Sequence, residues 1–309
     1  MIETFKKTLL LVNSEGKSKI QEKIVQYFTK EFTDLIQNNQ LLIRFTVDEN
    51  TIKKLSRDFS EKHENSLIII VGGDGSVHEV VNSISLSNTS VAVIPNGTGN
   101  DFASHIYRSK SLKEILLAFK NPRFKKVDMI KINDIFCINT TSFGYDTTVL
   151  VKSLEIKEKW SFLRSLSYKL AIPLTIGKID PIFYSYSFNL TDGSVLEGEG
   201  DFILNAICNG SRFGGGFTPA PMAEIDDGII EINQLEKVGL FEFIRKISDY
   251  KNGRHVDTLK ISHNSRVVSG RITPKFSPLK GNIDGELYDF EKIDFEILPK
   301  SINIMYLDF

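Results

Sequence analysis

Apolar and polar positions along the first 130 or so residues switch between two periods. Leu9 to Val12 is a short, wholly apolar run of strand length; Ile20, Ile24, Phe28, Phe32, Leu35 and Ile36 follow at spacings of mostly three or four, which predicts an amphipathic helix. Leu41 to Val47 reads as a second strand, Ile52, Leu55 and Phe59 as one face of a short helix, and Leu67 to Val71 as a strand buried on both sides. A further helical pattern begins at Val77, Val91 to Ile94 is a fourth apolar run, and Leu112, Ile115, Leu116 and Phe119 make a helix that stops before Pro122. Strand and helix in alternation predict a doubly wound α/β domain, with ligands at the carboxyl ends of its strands.

From about Val127 the period becomes mainly extended. Runs from Asp134 to Thr141, Phe183 to Leu190, Asp201 to Cys208, Ile229 to Asn233 and Asp294 to Leu298 are separated by glycine and Asp-Gly turns, the pattern of a β-rich domain. The expected division is therefore 1–128 and 129–309, with the last residues a candidate to return to the first domain. One stretch breaks the pattern. Between Leu150 and Gly177, Trp160, Phe162, Leu163, Leu166, Tyr168 and Leu170 are interleaved with Lys152, Lys157, Lys159, Arg164 and Lys169, and Lys178 lies just beyond. Two readings of this basic, aromatic, helical insert stay open: a helix whose apolar face covers the sheet, or a surface that meets anionic lipid.

The candidate chemistry sits where two strands end. Leu67 to Ile70 runs into Val71-Gly72-Gly73-Asp74-Gly75-Ser76, and Val91 to Ile94 runs into Pro95-Asn96-Gly97-Thr98-Gly99-Asn100-Asp101-Phe102. A strand entering a glycine-rich turn and then a helix can point several backbone N–H groups at a phosphate. One such turn is common; two on neighbouring strands suggest one nucleotide site. Asp74, an acid among groups suited to anions, points to magnesium, a ribose hydroxyl or an ordered network. The spacing fits neither a dinucleotide fingerprint nor a Walker loop.

Composition narrows the classes. With 309 residues, 41% hydrophobic and 25% charged, the chain can build a large core and two domains, and a formal net charge of −1 gives no sign of a nucleic-acid partner. Cys137 and Cys208 stand far apart in apolar surroundings and read as reduced core residues of a cytosolic protein. Neither a signal peptide nor a transmembrane run is evident, and the five histidines show no metal-ligand spacing.

The GGDGS and PNGTGNDFA turns resemble the diacylglycerol kinase catalytic domain family, which also holds sphingosine, ceramide and bacterial lipid kinases. Further resemblance lies in Phe143-Gly144-Tyr145-Asp146, in Asn209 to Phe217, in Pro219 to Gly228 and in Ile283-Asp284-Gly285-Glu286, in register over nearly the whole chain. The resemblance implies an α/β plus β fold with the nucleotide in the cleft between an N-terminal α/β domain and a C-terminal β-rich, sandwich-like domain. It implies transfer of the γ-phosphate of ATP, with Mg2+, to a lipid hydroxyl, most simply diacylglycerol giving phosphatidic acid, by a cytoplasmic protein peripherally associated with the membrane. Nucleotide-site positions carried over are Asn13, Gly72, Gly73, Asp74, Gly75, Ser76, Asn96, Gly97, Thr98, Asn100 and Asp101. Asp284 corresponds to the general base; Asp227 corresponds to a magnesium ligand, with Glu224 and Ile229 contributing through backbone oxygen. The same acid is linked in the family to positions matching Asp74 and Asp128. Departures are modest: Ser76 replaces threonine, and His78, expected to face outward or toward the cleft, replaces asparagine. A homodimer stays open, as do a non-catalytic lipid-binding protein of the same fold and an NAD kinase. By residue pattern alone Asp284-Gly285 cannot be told from Asp192-Gly193, since both fit hairpin turns.

Overall fold

The computed structural model describes residues 2–13, 19–84, 86–108, 110–163 and 166–307. It divides into two compact units, Met1–Val127 with Lys300–Phe309, and Asp128–Pro299.

In the first unit the alternation of periods becomes β1 (Lys7–Asn13), α1 (Lys19–Glu31), α2 (Thr33–Gln37), β2 (Leu41–Thr46), α3 (Glu49–Lys62), β3 (Ser66–Gly72), α4 (Asp74–Ile84), β4 (Ser90–Pro95), α5 (Asp101–Tyr107) and α6 (Leu112–Ala118). Four parallel strands lie in the order β2-β1-β3-β4. Every residue of β3 is buried, as expected of a strand with helices on both faces. The order reverses between β1 and β3, so Asn13 and Gly72, the last residues of those strands, stand at the switch point where such sheets bind ligands. Phe28 and Phe119 meet edge to face at 5.2 Å over this sheet.

Two expectations change here. The helix expected from Ile20 to Ile36 is broken in two at Phe32, because the Thr33 hydroxyl donates to the carbonyls of Thr29 and Lys30 and competes with the helical ladder; Ile20 is exposed. The helix expected from Val77 begins at Asp74, so the first glycine turn is shorter and its acid occupies a helix N-terminus, where a negative charge is favoured.

Strand β5 (Arg123–Ile132) leads into the second unit, which continues with β6 (Ile135–Cys137), β7 (Thr140–Gly144), α7 (Tyr145–Lys159), α8 (Ser167–Thr175), β8 (Ile182–Leu190), β9 (Val195–Cys208), β10 (Ile230–Glu236), α9 (Leu240–Lys251), α10 (His255–Thr258), β11 (Ser262–Pro274), β12 (Leu279–Ile283), β13 (Glu286–Phe290) and β14 (Ile293–Tyr306). Its pairings are antiparallel: β13-β12-β7-β9-β10-β11 in order, with β8 bonded to both β9 and β11. Strands β8 to β11 thus close into a ring around Tyr184, Phe188, Ile207, Ile232, Val267 and Ile272.

The run expected from Asp134 to Thr141 is split into β6 and β7, because the N–H groups of Ile138 and Asn139 leave the ladder to bind the Asp284 carboxylate. β11 has no apolar run to announce it: most of its residues are exposed or half-buried. The last strand does not stop at Leu298; β14 runs on to Tyr306, and within the first unit Ile304 pairs with Val91 of β4. Among the described residues no helix is long and apolar enough to cross a membrane.

Candidate active site

The two glycine turns of the first unit are built against each other. A Cβ added to Gly97 would lie 2.5 Å from the Cα of Gly73, so side chains at this crossing are excluded by backbone. The Asn96 N–H donates to the Gly72 carbonyl at 2.9 Å. Asn100, in the left-handed region at φ +56, closes its turn by accepting from the Gly97 N–H and donating to the Gly97 carbonyl, both at 2.8 Å. Asp74 ties the turns together: its carboxylate accepts the N–H groups of Asp101 and Phe102, each at 3.2 Å. These bonds make an ordered network between the two turns. The Asn13 amide donates to the Ser76 hydroxyl at 3.1 Å, joining the end of β1 to the start of α4. His78, far from facing outward, is 1% exposed, because it lies on the side of α4 that packs into the unit. Asn13, Gly72, Gly73, Asp74, Ser76, Asn96, Gly97, Asn100 and Asp101 are thus joined by direct bonds and contacts. Gly75 lies in the first turn of α4, while Thr98 is exposed on the second turn.

In the second unit Asp192 and Asp284 part company. Asp192 is an exposed hairpin residue whose carboxylate accepts from the N–H and hydroxyl of Ser194. Asp284 is 6% exposed, holds φ +52, and reaches back to the β6–β7 connection. There it accepts the N–H groups of Ile138 (3.0 Å), Asn139 (2.8 Å) and Thr140 (3.1 Å) and the thiol of Cys137 at 3.3 Å. Burial, then the Asp284 charge, pushes the Cys137 thiol well up, which keeps it a donor. A hairpin turn needs none of this; four donors converging on one buried carboxylate fix its orientation.

The acidic turn is held by Asp128, wholly buried, which accepts the Gly228 N–H at 2.7 Å and donates its own N–H to the Ile225 carbonyl at 2.7 Å. Asp227 accepts from the Ile229 N–H at 3.0 Å and pairs with Arg266 at 3.1 Å. Desolvation raises the Asp227 pKa, and the nearby charges of Asp128 and Glu224 add to the rise. Asp227, with the charges of Asp128 and Glu224 near it, and the carbonyls of a tight turn are hard oxygen donors of the kind a divalent cation takes. Among the described residues no three acidic, histidine or cysteine side chains are placed to hold a metal, so backbone oxygens would complete the shell.

The motif around Asp146 gains a meaning that sequence reasoning missed. Gly144 has φ +109, and a Cβ there would lie 2.4 Å from the Ile203 carbonyl oxygen. This tight exit from β7 buries Asp146 at the start of α7, where the Ser142 hydroxyl donates to it and the Asn282 amide lies 3.3 Å away. Desolvation pushes its pKa up to about 6. Asp146 borders a cavity of about 50 Å3, otherwise lined mostly by apolar residues of α7, α8, α9 and β9. Asp146 Oδ1 and the Tyr250 hydroxyl on its wall have no hydrogen-bond partner among the described residues. The available signal was the Phe143-Gly144-Tyr145-Asp146 motif itself.

The diacylglycerol kinase catalytic domain matches residues 7–132, and the YegS C-terminal NAD kinase beta sandwich-like domain matches residues 139–306. The chain belongs to this family of lipid kinases. A "Probable lipid kinase YegS-like" from Shewanella frigidimarina is 31% identical over 77% of this chain and 75% of its own length. One of the same name from Stenotrophomonas maltophilia is 26% identical over 87% of each chain. The crystal structure of a diacylglycerol kinase from Bacillus anthracis shares the fold, with a TM-score of 0.70 at 20% identity over 98% of this chain and 97% of that one. The first match of this lipid kinase family runs past the Val127/Asp128 division to residue 132, and the second, ending at 306, takes in part of the Lys300–Phe309 segment of the first unit.

Proposed function

We propose that the chain transfers the γ-phosphate of ATP to a lipid hydroxyl, most simply that of diacylglycerol, giving phosphatidic acid. The observation that carries the lipid acceptor is the apolar cavity with two orphaned polar atoms, whose chemistry suits an acyl chain bearing a polar group. Asp146, protonated at and below about pH 6, can donate to an ester or hydroxyl oxygen, and the Tyr250 hydroxyl can do the same.

Each part of the chain then has a task. The N–H groups at the start of α4 and the crossed glycine turns receive phosphate oxygens, with Asn13, Ser76, Asn96, Thr98, Asn100 and Asp101 around them. Asp284 takes the proton from the acceptor hydroxyl as its oxygen bonds to the γ-phosphorus and the bond to ADP breaks. Asp227, with backbone oxygens of Glu224 and Ile229, would hold a magnesium ion, which supplies positive charge against the phosphates. Peripheral association with a membrane follows from the acceptor's location.

Labelled γ-phosphate tests the reading: ATP and magnesium are offered with diacylglycerol, phosphatidylglycerol, sphingosine, ceramide or NAD, beside Asp284→Asn. Label in one lipid that disappears in the variant is expected and names the acceptor. Label in NAD alone, or in none of the acceptors, defeats the proposal.

A further inference from the structure

Helices α8 and α9 are apolar on two faces, and packing uses only one. Tyr168 and Ile172 of α8, and Phe243, Ile247 and Tyr250 of α9, face the cavity. At about 3.6 residues per turn, Leu170 and Leu174 fall on the other side of α8, and Phe241 and Ile244 lie away from the lining face of α9. These are exposed, Phe241 at 91% and Leu174 at 58%. The chain joining α7 to α8 adds Trp160 and Phe162, the latter 78% exposed. A surface helix of an ordinary domain turns a polar face to water. Here the core-packing reading of the insert explains Tyr168, Ala171 and Ile172, and leaves the outer row without a role.

Charge selects the occupant. Residues 152–178 carry six basic side chains against two acidic ones in a chain whose net charge is −1. Arg164, one of the six, lies outside the described residues. Lys159 stands 5.0 Å from the Trp160 ring, and on α9 the exposed Arg245 and Lys251 stand with Glu242, while Asp249 is paired with Arg254. A second copy of the chain would set these cations against their like. An anionic lipid surface complements them, and bulky apolar side chains bordered by lysine and arginine are what interfacial helices present to it.

We infer that the outer faces of α8 and α9, with the turn at Trp160 and Phe162, form one surface that docks on an anionic bilayer directly over the apolar cavity. The inference rests on the lipid-kinase reading for its purpose and on that reading alone; docking itself needs no turnover. Two elements about 75 residues apart in sequence contribute to one surface because both wall the same cavity.

Trp160 is the single tryptophan of the chain, so its emission reports on this surface alone. The full chain is mixed with vesicles of phosphatidylcholine, with or without an equal part of phosphatidylglycerol. With anionic vesicles the emission should move to the blue and be quenched by brominated acyl chains, and the effect should weaken at high salt. Phe241→Asp and Phe162→Asp, both at exposed positions that should leave the melting temperature unchanged, should each weaken docking by about tenfold or more. Phe241→Asp is the sharper test, since it acts on the Trp160 signal from another helix. Equal binding to phosphatidylcholine alone, no shift with any vesicle, or unchanged docking of Phe241→Asp overturns the inference. So does a dimer that Phe241→Asp dissociates while vesicle binding persists. Asp284→Asn should dock like wild type, and docking without phosphoryl transfer in the wild type would defeat the kinase reading and leave this surface standing.

Discussion

Asp284 shows what a single side chain owes to its surroundings. Its donors, three N–H groups and a thiol, come from the β6–β7 connection, about 145 residues earlier in the chain. Asp284→Asn should lower phosphoryl transfer by about 10²- to 10⁴-fold, the usual range for a lost general base. An amide must also turn its NH2 toward at least one of those donors, so the variant should melt at a lower temperature. Rate and melting curve therefore have to be read together: a near-wild-type rate removes Asp284 from the role of base. Asp146 supports a second expectation. Its folded pKa of about 6 stands above the ordinary 3.8, so the folded state holds a proton that the unfolded chain has released between those values. Its favourable contribution is complete below the lower value and is lost as pH rises through the window, an effect on the order of 3 kcal/mol. The melting temperature of wild type relative to Asp146→Asn should therefore rise as pH falls from 7 to 4; a constant difference would show that Asp146 does not titrate there.

At the scale of elements, the glycine turns matter for their approach to each other. The sequence suggested that glycine clears room for phosphate; the structure adds a nearer constraint, since Gly73 and Gly97 exclude each other's Cβ. Gly97→Ala must part the turns or distort Asn100, whose Oδ1 would be 3.0 Å from the new Cβ. ATP affinity should fall by about tenfold, roughly 1.4 kcal/mol, or more. Calorimetry showing wild-type affinity would remove the crossing from the nucleotide site. Helices α8 and α9 make the complementary point, because their inner faces are explained by the cavity and their outer faces by what lies outside the molecule.

At the scale of the whole molecule, the chain returns to where it began. Ile302, Ile304 and Met305 are buried in the first unit, and the Asn303 amide donates to the Ser90 hydroxyl at 2.7 Å. Three buried apolar side chains contribute on the order of 5 kcal/mol together, a large share of a domain's net stability. A fragment of residues 1–127 should therefore unfold at lower denaturant than the same fragment with 300–309 joined through a short linker. Identical midpoints would show that the last strand is dispensable to the first unit.

The sequence by itself determined the class of fold, the two glycine turns and the resemblance that named their chemistry. Buried parallel strands are nearly all apolar, and glycine turns are compact in sequence, so both are written in consecutive residues. The broken helix at Phe32, the exposed strand β11 and the extra length of β14 were not legible, because side-chain competition and pairing across the chain set them. Asp192 and Asp284 share one dipeptide, and only the fold gave one of them four donors and left the other in water. The cavity, its orphaned Asp146 and Tyr250, and the unpaired faces of α8 and α9 likewise depend on residues far apart in sequence. Long-range packing decides which acid is buried and which apolar face is left over, and no local pattern carries that information.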